Sequence, residues 1–143
     1  MKFIFVHYEL ATEKIIGIHH TTGIASADQY PIDKTKHGMI VIRPDHPILA
    51  EQLRWRVKTG QLVRKAVVRV KASANILRAG SEQAELAFKG LLSPATVVLG
   101  TEGKAQVSPA NPKILFGSST KGVFEICLAD EKHWCEPVYL EFV

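Results

Sequence analysis

No run of apolar residues in this 143-residue chain exceeds four, as in Phe3 to Val6 and Met39 to Ile42, whereas a membrane-crossing helix needs about 20. A transmembrane helix is therefore excluded. The N-terminus also lacks the central apolar stretch of a secretory signal, so synthesis and first release in a cytoplasm are expected. Cysteine is scarce, with only Cys127 and Cys135, which rules out a disulfide-dense secreted scaffold. The chain has no internal repeat, no coiled-coil heptads, and no window beyond about ten residues with a helical stripe of period 3.6. Walker loops, dinucleotide fingerprints and Gly-x-Ser-x-Gly elbows are missing too. The Ser/Gly run from Phe116 to Thr120 is a turn without the lysine and helix that phosphate binding requires.

What is present is the composition of an ordinary globular protein: 46% hydrophobic and 22% charged residues, enough apolar material to fold without a metal or a cross-link. The net charge of +4 is unevenly placed. Residues 1–66 hold ten Lys and Arg against six Asp and Glu, while residues 67–143 hold eight of each. Between Glu51 and Glu82 there is no acidic residue, and Arg54, Arg56, Lys58, Arg64, Lys65, Arg69, Lys71 and Arg78 fall in that window. The two halves are expected to do different jobs.

Apolar residues alternate or come in short β-branched bursts, which predicts an all-β protein. Residues 1–66 read as a small antiparallel β module. It has a hairpin from Lys2 to Tyr8 and Lys14 to His20, a long polar loop from Thr21 to Gly38, and a strand from Met39 to Arg43. A helical turn capped by Asp45 follows, then a second hairpin around Thr59-Gly60. In its first arm, Leu53 to Lys58, Leu53, Trp55 and Val57 share one face and Arg54, Arg56 and Lys58 the other. Residues 67–143 read as successive short strands: Val67 to Ala72, Ala84 to Lys89, Ala95 to Leu99, Gln106 to Val107, Lys113 to Phe116, Val123 to Leu128 and Trp134 to Phe142. Gly and Pro punctuate them at the spacing of a two-sheet sandwich.

The runs "VRVKASANILRAGSEQAELAFKGL" and "ILFGSSTKGVFEI" resemble the immunoglobulin-like (bacterial Ig-like, invasin-type) domains of tailed-phage structural proteins and surface adhesins. The segments "VHYELATEKIIGIHHT" and "WRVKTGQLVRK" are similar to the openings and closings of small phage tail-appendage and tail-fibre-associated proteins. The resemblance implies an Ig-like β-sandwich at 67–143 behind an N-terminal docking module at 1–66. It implies a virion accessory protein, structural rather than enzymatic, that binds other virion proteins, is oligomeric on the particle, and needs no cofactor. A capsid decoration protein is the alternative within that class. A carbohydrate-binding adhesin module, reading a host-surface glycan through Tyr30, Trp134 or Tyr139, is the alternative outside it. The absence of heptads and of a Gly-rich shaft departs from a tail-fibre tip.

Among individual residues, the candidate docking set is Arg54, Trp55, Arg56 and Lys58. The cations face away from Trp55, so an aromatic and a cationic surface do not coincide, and an acidic protein patch ranks above nucleic acid as partner. Of the six histidines, adjacent His19 and His20 point to opposite faces of a strand, and His7 can lie across from one of them; an ordinary polar pair is preferred to a metal site there. Cys127 and Cys135 would face each other if residues 129–133 closed a hairpin between the last two strands. Two free thiols are the first expectation, and a disulfide formed after release is the second.

Overall fold

A computed structural model describes residues 2–22 and 30–143. It is all-β, built from several mostly antiparallel sheets and short 3-10 turns. The chain divides into two compact units, Met1–Lys65 and Ala66–Val143, one residue before the expected boundary.

In the first unit, β1 (Lys2–Glu9), β2 (Ile15–Thr22) and β3 (His37–Ile42) form an antiparallel sheet in the order β2-β1-β3. Alternation along β1 sends Ile4, Val6 and Tyr8 to one face and Phe5, His7 and Glu9 to the other. Ile4 and Val6 join Ile42 and Ile48 in a small core, with Ile15, Ile18, Ile40, Trp55 and Leu62 packed around it. The Tyr8 ring lies across Gly38, where an added Cβ would come within 2.3 Å of it. A second hairpin joins β4 (Trp55–Lys58) to β5 (Gln61–Arg64). Its turn residues Thr59 and Gly60 both have positive φ, at 54° and 72°, as a two-residue hairpin turn of the right-handed twist requires.

Three expectations for this unit need correction. Leu53 is not on a strand: residues Gln52–Arg54 make a 3-10 turn, and Leu53 is 75% exposed. The turn closes because the Arg54 amide donates to the Glu51 carbonyl, so local turn chemistry overrides the alternation. The preceding turn, Pro47–Leu49, is capped by His46 instead of Asp45; the His46 Nδ1 accepts from the Ile48 amide at 3.1 Å. The polar segment expected from Thr21 to Gly38 is shorter than foreseen, since β2 runs to Thr22 and β3 starts at His37. Its residues 23–29 lie outside the described residues.

The second unit carries β6 (Ala66–Val67), β7 (Arg69–Ala72), β8 (Ile76–Leu77), β9 (Gln83–Lys89), β10 (Ala95–Leu99), β11 (Lys104–Val107), β12 (Lys113–Gly117), β13 (Gly122–Leu128), β14 (His133–Trp134) and β15 (Val138–Phe142). A three-stranded sheet β12-β9-β7 and a five-stranded sheet β11-β10-β13-β15-β8 enclose one core, the arrangement of a β-sandwich. Ala84, Leu86 and Phe88 of β9 face it from one side, and Ala95 and Val97 of β10 with Phe124 and Ile126 of β13 from the other. Phe116, Phe124 and Phe142 meet edge to face with centroids 5.6 to 5.8 Å apart, a geometry that aligns each ring's positive edge with its neighbour's negative face.

Most strand positions agree with the sequence reading, but both ends of the sandwich are broken up. The expected strand from Val67 to Ala72 splits at Val68, whose amide donates to the Trp134 carbonyl. The expected strand from Trp134 to Phe142 splits likewise: β14 pairs in parallel with β6, and β15 resumes after Pro137. Proline has no N–H to give a ladder.

Candidate functional site

The β4–β5 register, Trp55 opposite Arg64, Arg56 opposite Val63, Val57 opposite Leu62 and Lys58 opposite Gln61, sorts the hairpin's side chains by face. Trp55 packs against the small core and Val57 is buried, while on the alternate face Lys58 is exposed and Arg56 half-buried. Arg54 does not share their face. It sits in the 3-10 turn and pairs with Glu51 at 3.3 Å. Arg64 reaches the same carboxylate at 3.3 Å and lies over the Trp55 indole at 4.9 Å from the ring centroid. An aromatic and a cation therefore do share a surface, through a residue on the partner strand. His46 packs edge-on to Trp55 at 4.9 Å, and the buried indole Nε1 has no hydrogen-bond partner among the described residues. Of the four residues expected to dock, Arg56 and Lys58 lie on the hairpin's other face, Trp55 packs against the small core, and Arg54 is paired with Glu51.

A second cluster occupies the opposite face of the β2-β1-β3 sheet. The strand register sets His7 of β1 diagonally between His19 of β2 and His37 of β3. Nδ1 of His7 lies 3.1 Å from Nε2 of His19, and Nε2 of His7 lies 2.6 Å from Nδ1 of His37. The chain continues to Tyr30, whose hydroxyl is 3.3 Å from Nδ1 of His19. Fully buried Phe5 supports it, with its ring stacked on His19 at 5.1 Å and Tyr30 edge-on at 4.7 Å. Burial, then the neighbouring charges of His37 and His19, hold the His7 imidazole below its ordinary value. The sequence had paired His7 with His19 or His20; it missed His37 and Tyr30. No motif announces them: the register of three strands brings His37 to His7, and Tyr30 reaches His19 from outside the strands.

The thiols do not meet as the hairpin argument required. The β13–β15 ladder ends at the Ile126–Val138 pair, and Cys127 is in register with Val98 of β10. Cys135 lies in the excursion that carries β14 to β6. Both thiols are free, Cys135 buried and Cys127 half-buried. Burial pushes both up from the usual thiol value, Cys127 further raised by Glu125 and Cys135 by Cys127, against a Leu128 backbone hydrogen bond that lowers it.

Beside them, His133 is wholly buried and fully used. Its Nδ1 lies 2.5 Å from Asp130 Oδ2, and its Nε2 accepts from the Leu92 amide at 3.0 Å. The Asp130 carboxylate also accepts the amides of Lys132 and His133. Among the aromatics a glycan reading would use, Tyr30 packs on Phe5, Trp134 is half-buried, and Tyr139 is 56% exposed. Comparison with known protein families, with curated proteins and with solved structures gives no match.

Proposed function

We propose that the chain is a non-enzymatic structural component of a tailed-phage particle, an adaptor that docks through its N-terminal unit and presents a β-sandwich. The observation that carries the docking role is the outward pair Arg56 and Lys58, two residues apart on one face of β4, with no ion pair to either among the described residues. Such a face fits an acidic protein surface. The phage attribution rests on the resemblances of both halves. With β7 and β8 taken as A and A′, β9 as B, β10 as C, β11 as C′, β12 as E, β13 as F and β15 as G, the sheets run E-B-A and C′-C-F-G-A′. That order supports the Ig-like reading. The binding rather than catalytic reading is supported by the polar side chains of the sandwich that hold its backbone: buried His133 and half-buried Asp130 hold backbone amides, and the buried Ser118 hydroxyl accepts from the Thr120 amide.

Replacing half-buried Arg56 and exposed Lys58 together with Ser is expected to leave the circular dichroism spectrum unchanged and to weaken docking by about 0.4 to 2 kcal/mol, the sum for two surface ion pairs. Docking should also become less sensitive to salt. Arg54→Ser, which touches a cation already tied to Glu51, is expected to change docking less. Particle-bound protein measured by mass spectrometry decides the matter. Normal incorporation of the double variant, with incorporation lost on removing residues 66–143, would place docking in the other half.

A further inference from the structure

We propose that the His37–His7–His19 chain is an acid-sensitive clamp on the β2-β1-β3 sheet, one that holds through the uptake of a first proton and gives way at the second. The inference is independent of the docking role and follows from proton positions. Three contacts link His37, His7, His19 and Tyr30, and each accommodates a single proton between its two heavy atoms. Two further positions lie at the ends, on Nε2 of His37 and on the Tyr30 hydroxyl turned outward. The chain thus offers five positions. Three neutral imidazoles and a phenol bring four protons, which align as a one-way sequence of donors. A fifth proton fills the last position with every contact intact. A sixth has to double one contact, setting two N–H or O–H groups against each other at 2.6 to 3.3 Å. Because His7 is on the central strand, that repulsion acts across the ladders to both β2 and β3.

The charged groups around the chain do not relieve this. Glu9, on the same face of β1 and in register with His37, receives the Thr12 hydroxyl. Asp33 is engaged chiefly by the Thr35 hydroxyl and amide, which together with His37 hold its carboxyl low; it therefore favours a proton on His37 but does not separate a doubled contact. Lys34 and Lys36 on that turn are exposed and add positive charge. From β2 the titratable side chain facing the chain is His19, since His20 turns to the other face. His7 titrates below the ordinary histidine value in the folded chain, so the unfolded chain takes up that proton first. The stabilisation is complete above about pH 6.5 and is lost as pH falls below it.

A shared metal ion would need one nitrogen from each ring at a common point, but His7 turns a different nitrogen to each neighbour. Among the described residues no group of three or more His, Cys, Asp or Glu is placed to hold a metal.

The test is an imidazole 1H–15N NMR titration of the full chain from pH 8 to 4.5, read beside amide hydrogen exchange in β1, β2 and β3. The first protonation should leave exchange protection unchanged. Below about pH 6.5 protection should then fall by about tenfold per pH unit until the folded chain takes up the second proton. In His7→Gln, which keeps a donor and an acceptor but does not titrate, the acid step should disappear. Protection that stays flat through both protonations of the wild type would overturn the proposal, even if the variant does not fold. So would an unchanged acid step in folded His7→Gln. Stoichiometric Zn2+ binding at micromolar concentration that is lost in the variant would also overturn it, in favour of a metal site.

Discussion

Trp55 shows how one residue can serve a hairpin at a cost. Its ring is covered by His46 at one edge and Arg64 over its face, while its buried N–H has no partner among the described residues. An unsatisfied buried donor costs about 1 to 3 kcal/mol, and a cation over an indole returns about 0.5 to 1 kcal/mol at a surface site. Trp55→Phe, which removes the donor and keeps most of the ring, is expected to leave stability within about 1 kcal/mol of the parent in urea unfolding. Trp55→Ala is expected to cost about 2 to 3 kcal/mol, below the range for a fully buried aromatic because the ring is only partly covered. Equal losses in the two variants would show that the N–H is satisfied in solution.

At the scale of elements, the segment between β13 and β15 is held by polar contacts instead of by a tight hairpin. His133 joins two stretches distant in sequence, taking the Leu92 amide on one nitrogen and Asp130 on the other, and β14 docks alongside β6. His133→Ala leaves the Leu92 amide and the Asp130 carboxylate without this partner. It is therefore expected to destabilise the sandwich by about 2 to 4 kcal/mol, from the lost hydrogen bonds and the cavity. Accelerated exchange of the Leu92 and Val68 amides, ahead of those in β9, is the expected signature. Uniform acceleration through β9 and β13 would instead mean that the segment unfolds only with the whole unit. The same detour explains why the cysteines never oppose each other: β14 ends at Trp134, and Cys135 falls in the break before β15 resumes at Val138.

For the whole molecule, each unit has its own core among the described residues: Ile4, Val6, Ile42 and Ile48 serve the first, and the residues enclosed between the three- and five-stranded sheets serve the second. A unit with its own core can in principle fold alone. Residues 66–143 expressed by themselves are expected to give a dispersed NMR spectrum and a cooperative urea transition. A spectrum collapsed to unfolded shifts would show that the sandwich depends on residues 1–65.

Alternation in "QAELAFK" and in "GVFEICL" was enough to place β9 and β13 and to say which side chains point inward, because a strand's period of two follows from its own backbone. Thr59-Gly60 was enough to place the β4–β5 turn, since its positive φ angles are a local demand. Charge counts located the basic stretch. What the sequence did not determine were pairings between strands far apart in the chain. His37 reaches His7 only because β3 joins β1 on the edge opposite β2. Glu51 ties up Arg54 and Arg64 only once the 3-10 turn and β5 are brought together. β14 leaves the expected hairpin for β6, so Cys127 and Cys135 do not become a directly opposed cross-strand pair. Each is a contact between non-local side chains whose geometry depends on which edges and faces the folded sheets leave available, and no period along a single strand encodes that choice.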